Sequence, residues 1–140
     1  MQVAASTPGI SAAAASAAVL AAVAHAEING WKINVAVVDR SGNLMAFLRM
    51  PGAFLHSIDI AIDKAYTSAS FGFPSKDWMA MIGHDEGMKL GFSVRPRLIV
   101  FGGGLPIGEG EWIGGIGVSG ASEAQDEECA RAGLSAIGMS

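Results

Sequence analysis

The stretch KINVAVVDRSGNLMAFLRMPG, residues 32–52, holds two strand patterns around one turn. Val35, Val37 and Val38 supply the β-branched bulk that suits a pleated strand, which is read over Lys32 to Asp39. Asp39-Arg40-Ser41-Gly42-Asn43 is turn chemistry, with Asp39 expected to organise its own loop. Leu44 to Met50 returns, so the pair forms an antiparallel hairpin, and Pro51-Gly52 ends it.

The elements outward from this hairpin set the class. Upstream, Thr7-Pro8 is a helix-start signal and Asn29-Gly30 a stop, which predicts a helix from Pro8 to Ile28. Ala24-His25-Ala26 imitates a signal-peptidase site, but no Lys or Arg precedes Lys32, so the segment reads as the first helix of the fold. It contains no long, strongly apolar run, so no transmembrane helix is expected. Downstream, a helix is predicted over Ser57 to Phe71, broken by Gly72-Phe73-Pro74, with Ser75 capping a short helix through Ile82. His84 to Ser93 is ambiguous and reads as one helical turn and a loop. Arg97 to Phe101 reads as a short strand, and Gly102-Gly103-Gly104 as a bend. Leu105 to Ile107 and Glu111 to Val118 flank Gly108-Glu109-Gly110 as a second hairpin. Ser122 and Gln125 have capping-box spacing at the start of the last helix. Hairpins separated by helices predict an α+β domain with a mainly antiparallel sheet, and 140 residues fit one domain, 1–140.

Charged residues make up only 16% of the chain against 51% hydrophobic, where about 25% charged is usual. So few charges predict a homo-oligomer that hides apolar surface. A net charge of −4 argues against a nucleic-acid partner, which would want a basic stripe. The lone Cys129 can form no intrachain disulfide and suits a reducing compartment.

Gly115-Ile116-Gly117-Val118-Ser119-Gly120 matches G-x-G-x-x-G, but the second strand with an acidic ribose ligand about 20 residues on has no room before Ser140. These glycines are expected to serve tight turning and close packing instead.

Helical periodicity over Ser57–Phe71 puts Ile58, Ala61, Ile62, Ala65 and Ala69 on the sheet-facing stripe and Ile60, Lys64, Thr67 and Phe71 on the other side. A lysine between apolar neighbours is a candidate base or imine-forming amine, or an interface lysine that snorkels to water. Asp126 lies on the buried stripe of the last helix with Cys129, Ala130, Gly133 and Leu134. It is a partner for the helix dipole, a general acid/base, or the group that orients Lys64. His25, His56 and His84 show no metal-ligand spacing, so no metal site is predicted. His56, just before the lysine helix, is the histidine grouped with Lys64 and Asp126 as a catalytic candidate. Arg49, Arg95 and Arg97 are candidate carboxylate clamps, because guanidinium presents two parallel donors. Thr67, Gly103 and Ser119 are grouped with Arg49 and Arg97 as candidate ligand-binding residues.

Val37-Val38-Asp39 with Gly42-Asn43-Leu44, Ser57-Ile58-Asp59-Ile60-Ala61 with Lys64-Ala65-Tyr66-Thr67, Phe101-Gly102-Gly103-Gly104-Leu105-Pro106-Ile107, Gly114 to Gly120, and Gln125-Asp126-Glu127 follow one another in an order that resembles the GlcG/HbpS family over nearly the whole chain. The resemblance implies a five-stranded antiparallel sheet flanked by helices and assembly into dimers, tetramers or octamers. Family members include a secreted haem-binding and haem-degrading sensor protein, a haem-binding domain attached to a corrinoid adenosyltransferase, and many proteins of catabolic operons. The twin-arginine export signal of the secreted type is absent, so a cytoplasmic location is expected.

Three functions are therefore in view. One is a catabolic enzyme or accessory binder for a small organic acid, of tautomerase, deaminase or hydrolase type, needing no cofactor. Another is a haem or corrinoid binder, possible haem degradation included, for which any of the histidines is a candidate axial ligand. The last is a non-catalytic oligomeric module.

Overall fold

Val35 and Val37 point to one side of their strand, Ala36 and Val38 to the other, and all four are fully buried. A strand buried on both faces needs a layer of helices on each. The structure, a computed structural model describing residues 1–140, provides them.

The sheet is built from β1 (Asn34–Asp39), β2 (Leu44–Arg49), β3 (Gly104–Pro106) and β4 (Gly114–Ser119), in the order β2-β1-β4-β3 with every neighbour antiparallel. Helix α2 (Ser57–Phe71) covers one face, where Ala36 and Val38 meet Ala65 and Ala69. Helices α1 (Ala12–Asn29) and α5 (Glu123–Ala136) cover the other, around Ile33, Val35, Val37, Ile116 and Val118. Between α2 and β3 run a 3-10 turn (Ser75–Asp77), α3 (Trp78–Met81) and α4 (Glu86–Ser93).

Both hairpins and the α2 limits match the sequence reading, and Ser122 and Gln125 form a reciprocal capping box. The sheet has four strands, not five. Residues 97–101 do not join it, for two reasons. Arg97 takes a left-handed backbone with φ 67°, and the Thr67 hydroxyl of α2 donates to the Arg97 carbonyl and accepts from Ile99 N–H. A side chain thus satisfies the groups that a strand neighbour would have taken.

Three helix starts also differ. Helix α1 begins at Ala12 under a Ser11 cap, because Ile10 is buried and its N–H is committed to Ile113 O at 3.0 Å. Ser75 caps nothing; its hydroxyl donates to Phe101 O (2.7 Å) and accepts from Gly104 N–H (3.0 Å), tying the triple glycine to the 3-10 turn. The ambiguous 84–93 segment is helical from Glu86 under an Asp85 cap. Helix α1 is long and apolar enough to cross a bilayer by length and composition. Here its Ala15, Ala18, Val19, Ala22 and Ala26 pack into the core.

The G-x-G-x-x-G glycines serve contact. A Cβ at Gly115 or Gly117 would strike the Ala65 or Ala61 carbonyl, so α2 lies directly on β4.

Candidate functional site

Lys64 faces the sheet, not the side it was expected to share with Ile60, Thr67 and Phe71. The reason is space. Next to Lys64 the surface under α2 is formed by Gly103, Gly104 and Gly117, and a Cβ on Gly103 would lie 2.7 Å from Lys64 Nζ. The side chain uses that gap, at the open end of the short edge strand β3, to pass from the α2 layer toward α5. There Nζ donates to Val118 O at 2.8 Å and to Asp126 Oδ2 at 3.1 Å. The other Asp126 oxygen accepts from Ala121 N–H at 2.9 Å. Both side chains are almost fully buried, 2% and 3% exposed. The Phe101 ring centroid lies 5.1 Å from Nζ. Burial pushes the Lys64 amine below its ordinary pKa, opposed by the charge and hydrogen bond of Asp126. Burial pushes the Asp126 carboxyl up, opposed by Lys64 and by the Ala121 N–H.

The outer side of α2 carries Asp63, Tyr66, Thr67 and Ser70, spaced i, i+3, i+4 and i+7. Tyr66, Thr67, Ser70 and Phe71 form one wall of a cleft of about 290 Å3, and Phe92, Arg95, Pro96, Arg97 and Leu98 form the other. Phe71 and Phe92 meet with centroids 5.7 Å apart, each backed by the buried Trp78. The Arg97 guanidinium lies 3.6 Å over the Tyr66 ring, and its Nε donates to Asp63 Oδ1 at 3.2 Å. Met88 and Gly91 extend the cleft along α4 past Phe92 and Arg95. Beyond Tyr66, a smaller cleft of about 140 Å3 holds Arg40, which stacks 3.6 Å over Trp112. Three of the chain's five arginines thus line clefts on this one face of an acidic protein.

Arg49 and Ser119 lie outside this cleft, Ser119 next to the Val118 whose carbonyl Lys64 contacts. Both pair with Asn34 across the sheet, which places the three side chains on one face at one end. Arg49 donates to Ala53 O at 2.8 Å, and Asn34 donates to Phe54 O at 3.1 Å while its buried Oδ1 has no partner. His56 is exposed just before α2 and makes no capping bond. At 1.5 Å per residue it stands about 16 Å along the helix from Thr67. His25 lies 2.6 Å from Glu128, and His84 lies 3.2 Å from Ala80 O. No group of His, Cys, Asp and Glu converges in a way that could hold a metal ion.

The structure therefore brings together Lys64, Asp126 and Gly103 at the sheet edge, Thr67 and Arg97 in the outer cleft, and Arg49 and Ser119 beside Asn34 at one end of the sheet, where Ser119 directly follows the Val118 whose carbonyl Lys64 contacts; His56 stands exposed just before α2. The sequence reading missed Asp63, Tyr66 and Phe92; the i, i+3, i+4, i+7 stripe from Asp63 to Ser70 was the available signal for the first two.

An antiparallel sheet with α2 on one face, α1 and α5 on the other, and an arginine-bearing cleft outside α2 defines a small α+β domain with a ligand-sized hollow. The model of the family described as haem degrading protein HbpS-like matches residues 10–135, and the chain belongs to that family. Among its relatives, a 15.0 kDa protein from the dhaT-dhaS intergenic region of Citrobacter freundii is 36% identical over 77% of this chain and 80% of its own length. Protein GlcG of Escherichia coli is 32% identical over 75% and 77%. The corrinoid adenosyltransferase PduO of C. freundii is 30% identical over 85% of this chain but only 36% of that enzyme. Among solved structures, Klebsiella pneumoniae ORFY superposes with a TM-score of 0.90 at 30% identity, covering 99% and 97% of the two chains. A double mutant of Streptomyces reticuli HbpS gives 0.85 at 35%, covering 94% and 89%. A PduOC complex with haem gives 0.84 at 27%, covering 94% and 97%.

Proposed function

We propose that this chain binds a planar organic anion in the cleft between α2 and residues 92–98, with haem as the first candidate ligand. The observation that carries this reading is the joining, in one hollow, of an aromatic wall and two arginines, Arg95 and Arg97. A flat hydrophobic ring suits Phe71 and Phe92, and carboxylates suit guanidinium forks. The family description and the haem-bound PduOC structure support haem as the ligand. The residues offer both kinds of group it needs: Arg95 and Arg97 match carboxylate side arms, and the Tyr66 phenol, its ring under Arg97, is the lining oxygen of a kind that ligates haem iron in other folds. No imidazole lines this cleft, so the candidate ligand to iron is Tyr66 rather than His56. Bound haem would supply redox and small-ligand chemistry at iron; the chain's part is to hold the carboxylates, exclude water from one ring face and present the phenol.

The test is hemin titration followed at the Soret band. A sharp, saturable shift is expected, weakened at least tenfold by Arg97→Ala or Phe92→Ala and altered in wavelength by Tyr66→Phe. No spectral change in the unmodified protein ends the haem reading.

A second reading, an enzyme or binder for a small organic acid, is favoured by size. A hollow of about 290 Å3 lies at the lower end of ligand sites and matches a small acid more closely than a whole macrocycle. Arg95 and Arg97 would hold the carboxylate. The buried pair Lys64 and Asp126, which lines no part of this cleft, would be the proton-transfer pair. Substrate screening for tautomerase, deaminase and hydrolase turnover tests it, and full activity in a folded Lys64→Met variant removes the pair from the mechanism.

Self-association and a cytoplasmic location belong to the same proposal. Phe54, Leu55, Leu90 and Val94 stand 68–79% exposed, which is apolar surface that a second copy would cover. A monomer at every concentration in sedimentation equilibrium would refute that part.

A further inference from the structure

Arg97 is the one residue other than glycine with a positive φ. Side chains rarely adopt that backbone, and glycine would adopt it without strain. A loop that needed only the bend would be served better by glycine. The arginine at this position is also held on three sides. Its carbonyl accepts from the buried Thr67 hydroxyl at 3.0 Å. Its guanidinium plane lies 3.6 Å over the Tyr66 ring. Its Nε donates to Asp63 Oδ1 at 3.2 Å, with the two side chains 41% and 25% exposed. Neither Nη atom has a hydrogen-bond partner in the chain.

Resting on the ligand site proposed above, we propose that Asp63 is its positioning residue: with Thr67 and Tyr66 it fixes Arg97 so that the free Nη edge meets a ligand carboxylate. A half-exposed ion pair adds little stability by itself, so stability alone does not explain this arrangement. Pre-organisation does explain it. An arginine already ordered loses less freedom when a carboxylate binds end-on across both Nη atoms. The carboxylate of Asp63 also offsets the charge of Arg97. The site therefore selects the planar two-oxygen geometry of a carboxylate more than negative charge as such.

That balance makes the test decisive. Removing Asp63's charge strengthens anion binding if its role is only electrostatic, and weakens it if its role is positional. Binding of protoporphyrin IX and of benzoate to the full chain is measured by absorbance and by calorimetry, with protoporphyrin dimethyl ester as the control lacking carboxylates. Asp63→Asn is expected to lower affinity about tenfold for whichever acid binds, at unchanged melting temperature, and Asp63→Glu to restore part of it. Arg97→Lys, which keeps charge but loses the fork, is expected to behave like Arg97→Ala. Arg97→Gly is expected to melt above Arg97→Ala yet bind no better. Equal or tighter binding in Asp63→Asn, while Arg97→Ala loses it, overturns the positional role and leaves the cleft reading standing. Binding unaffected by both Arg97→Ala and Arg95→Ala, or absent from the unmodified chain, removes the cleft reading and this inference together. An Arg97→Gly variant no more stable than Arg97→Ala overturns the strained presentation of the arginine.

Discussion

Lys64 Nζ and Asp126 Oδ2 meet 3.1 Å apart at the open edge of the sheet, joining α2 on one face to α5 on the other. Taking both charges out of water is costly, and their mutual attraction offsets that cost only while both are present. Breaking such a pair leaves one uncompensated charge. Lys64→Met or Asp126→Asn alone is therefore expected to destabilise the fold by about 3–5 kcal/mol. The double variant Lys64→Met/Asp126→Asn is expected to recover most of the loss. Urea unfolding of the four proteins of this cycle gives the coupling directly; single variants as stable as the parent would mean that water reaches the pair.

The same pair has a pH signature. Asp126 is raised above its ordinary 3.8 by burial, so its favourable contribution is present below 3.8 and is lost as pH rises through the folded value. Lys64 is lowered from 10.5 by burial, so its contribution is present above 10.5 and is lost as pH falls through the folded value. The double variant should remove both slopes from the stability profile, one lying above 3.8 and one below 10.5. Urea midpoints across the pH range check this.

Asp39 has the opposite sign in acid. Slight burial raises its carboxyl, but hydrogen bonds from the Asn43 side chain and from the N–H groups of Asn43, Ser41 and Gly42 outweigh it and leave the pKa below 3.8. Its contribution is present above 3.8 and is lost as pH falls through the folded value. The stability gap between the parent and Asp39→Ala should thus be full at neutral pH and close in strong acid. A gap that stays constant below 3.8 would assign the loop's stability to something other than this carboxylate.

Features that depend on local chemistry were legible in the sequence. The β1–β2 hairpin, α2 and the Ser122 capping box each rest on patterns of a few adjacent residues, and Asp39 organises its turn as its position suggests. Arg97–Phe101 looked like a strand because its side chains suit one. A hydroxyl from distant Thr67 took its backbone groups instead. Lys64 was placed on the wrong face because periodicity assigns charge to the side away from the sheet. The gap that admits it depends on Gly103 and on β3 stopping short, neither of which periodicity registers. Thr67 and Arg97 were named as ligand residues without any sign that they would touch, and Asp63 passed unnoticed as an ordinary helix carboxylate.

Gly117 and Gly91 should respond to alanine in opposite directions. A Cβ at Gly117 would collide with the Ala61 carbonyl and crowd the Lys64 stem, so Gly117→Ala must push α2 off β4. Overpacking of this kind costs about 1–3 kcal/mol. A Cβ at Gly91, within α4, meets nothing within 4 Å and no positive φ. Gly91→Ala should stabilise by about 0.5–1 kcal/mol through helix propensity alone. Thermal unfolding of the two variants checks both signs, and a neutral Gly117→Ala would show that α2 can lift without cost.

Cys129 is fully buried, and its thiol is pushed up to about 12, first by burial and then by the charges of Asp126 and Glu128. The thiolate is the reactive form, so at pH 8 almost none is present in the folded protein. A disulfide exchange reagent should leave Cys129 untouched in buffer and titrate one thiol per chain in urea. Intermediate urea sharpens the prediction. If the helix carrying Cys129 opens only when the sheet does, the modification rate should follow the global unfolding equilibrium, and Asp126→Asn should speed it by the factor by which that variant raises the unfolded population. Fast labelling of the native protein would instead mean that α5 frays from Glu123 inward, which would also expose the Lys64–Asp126 pair to water.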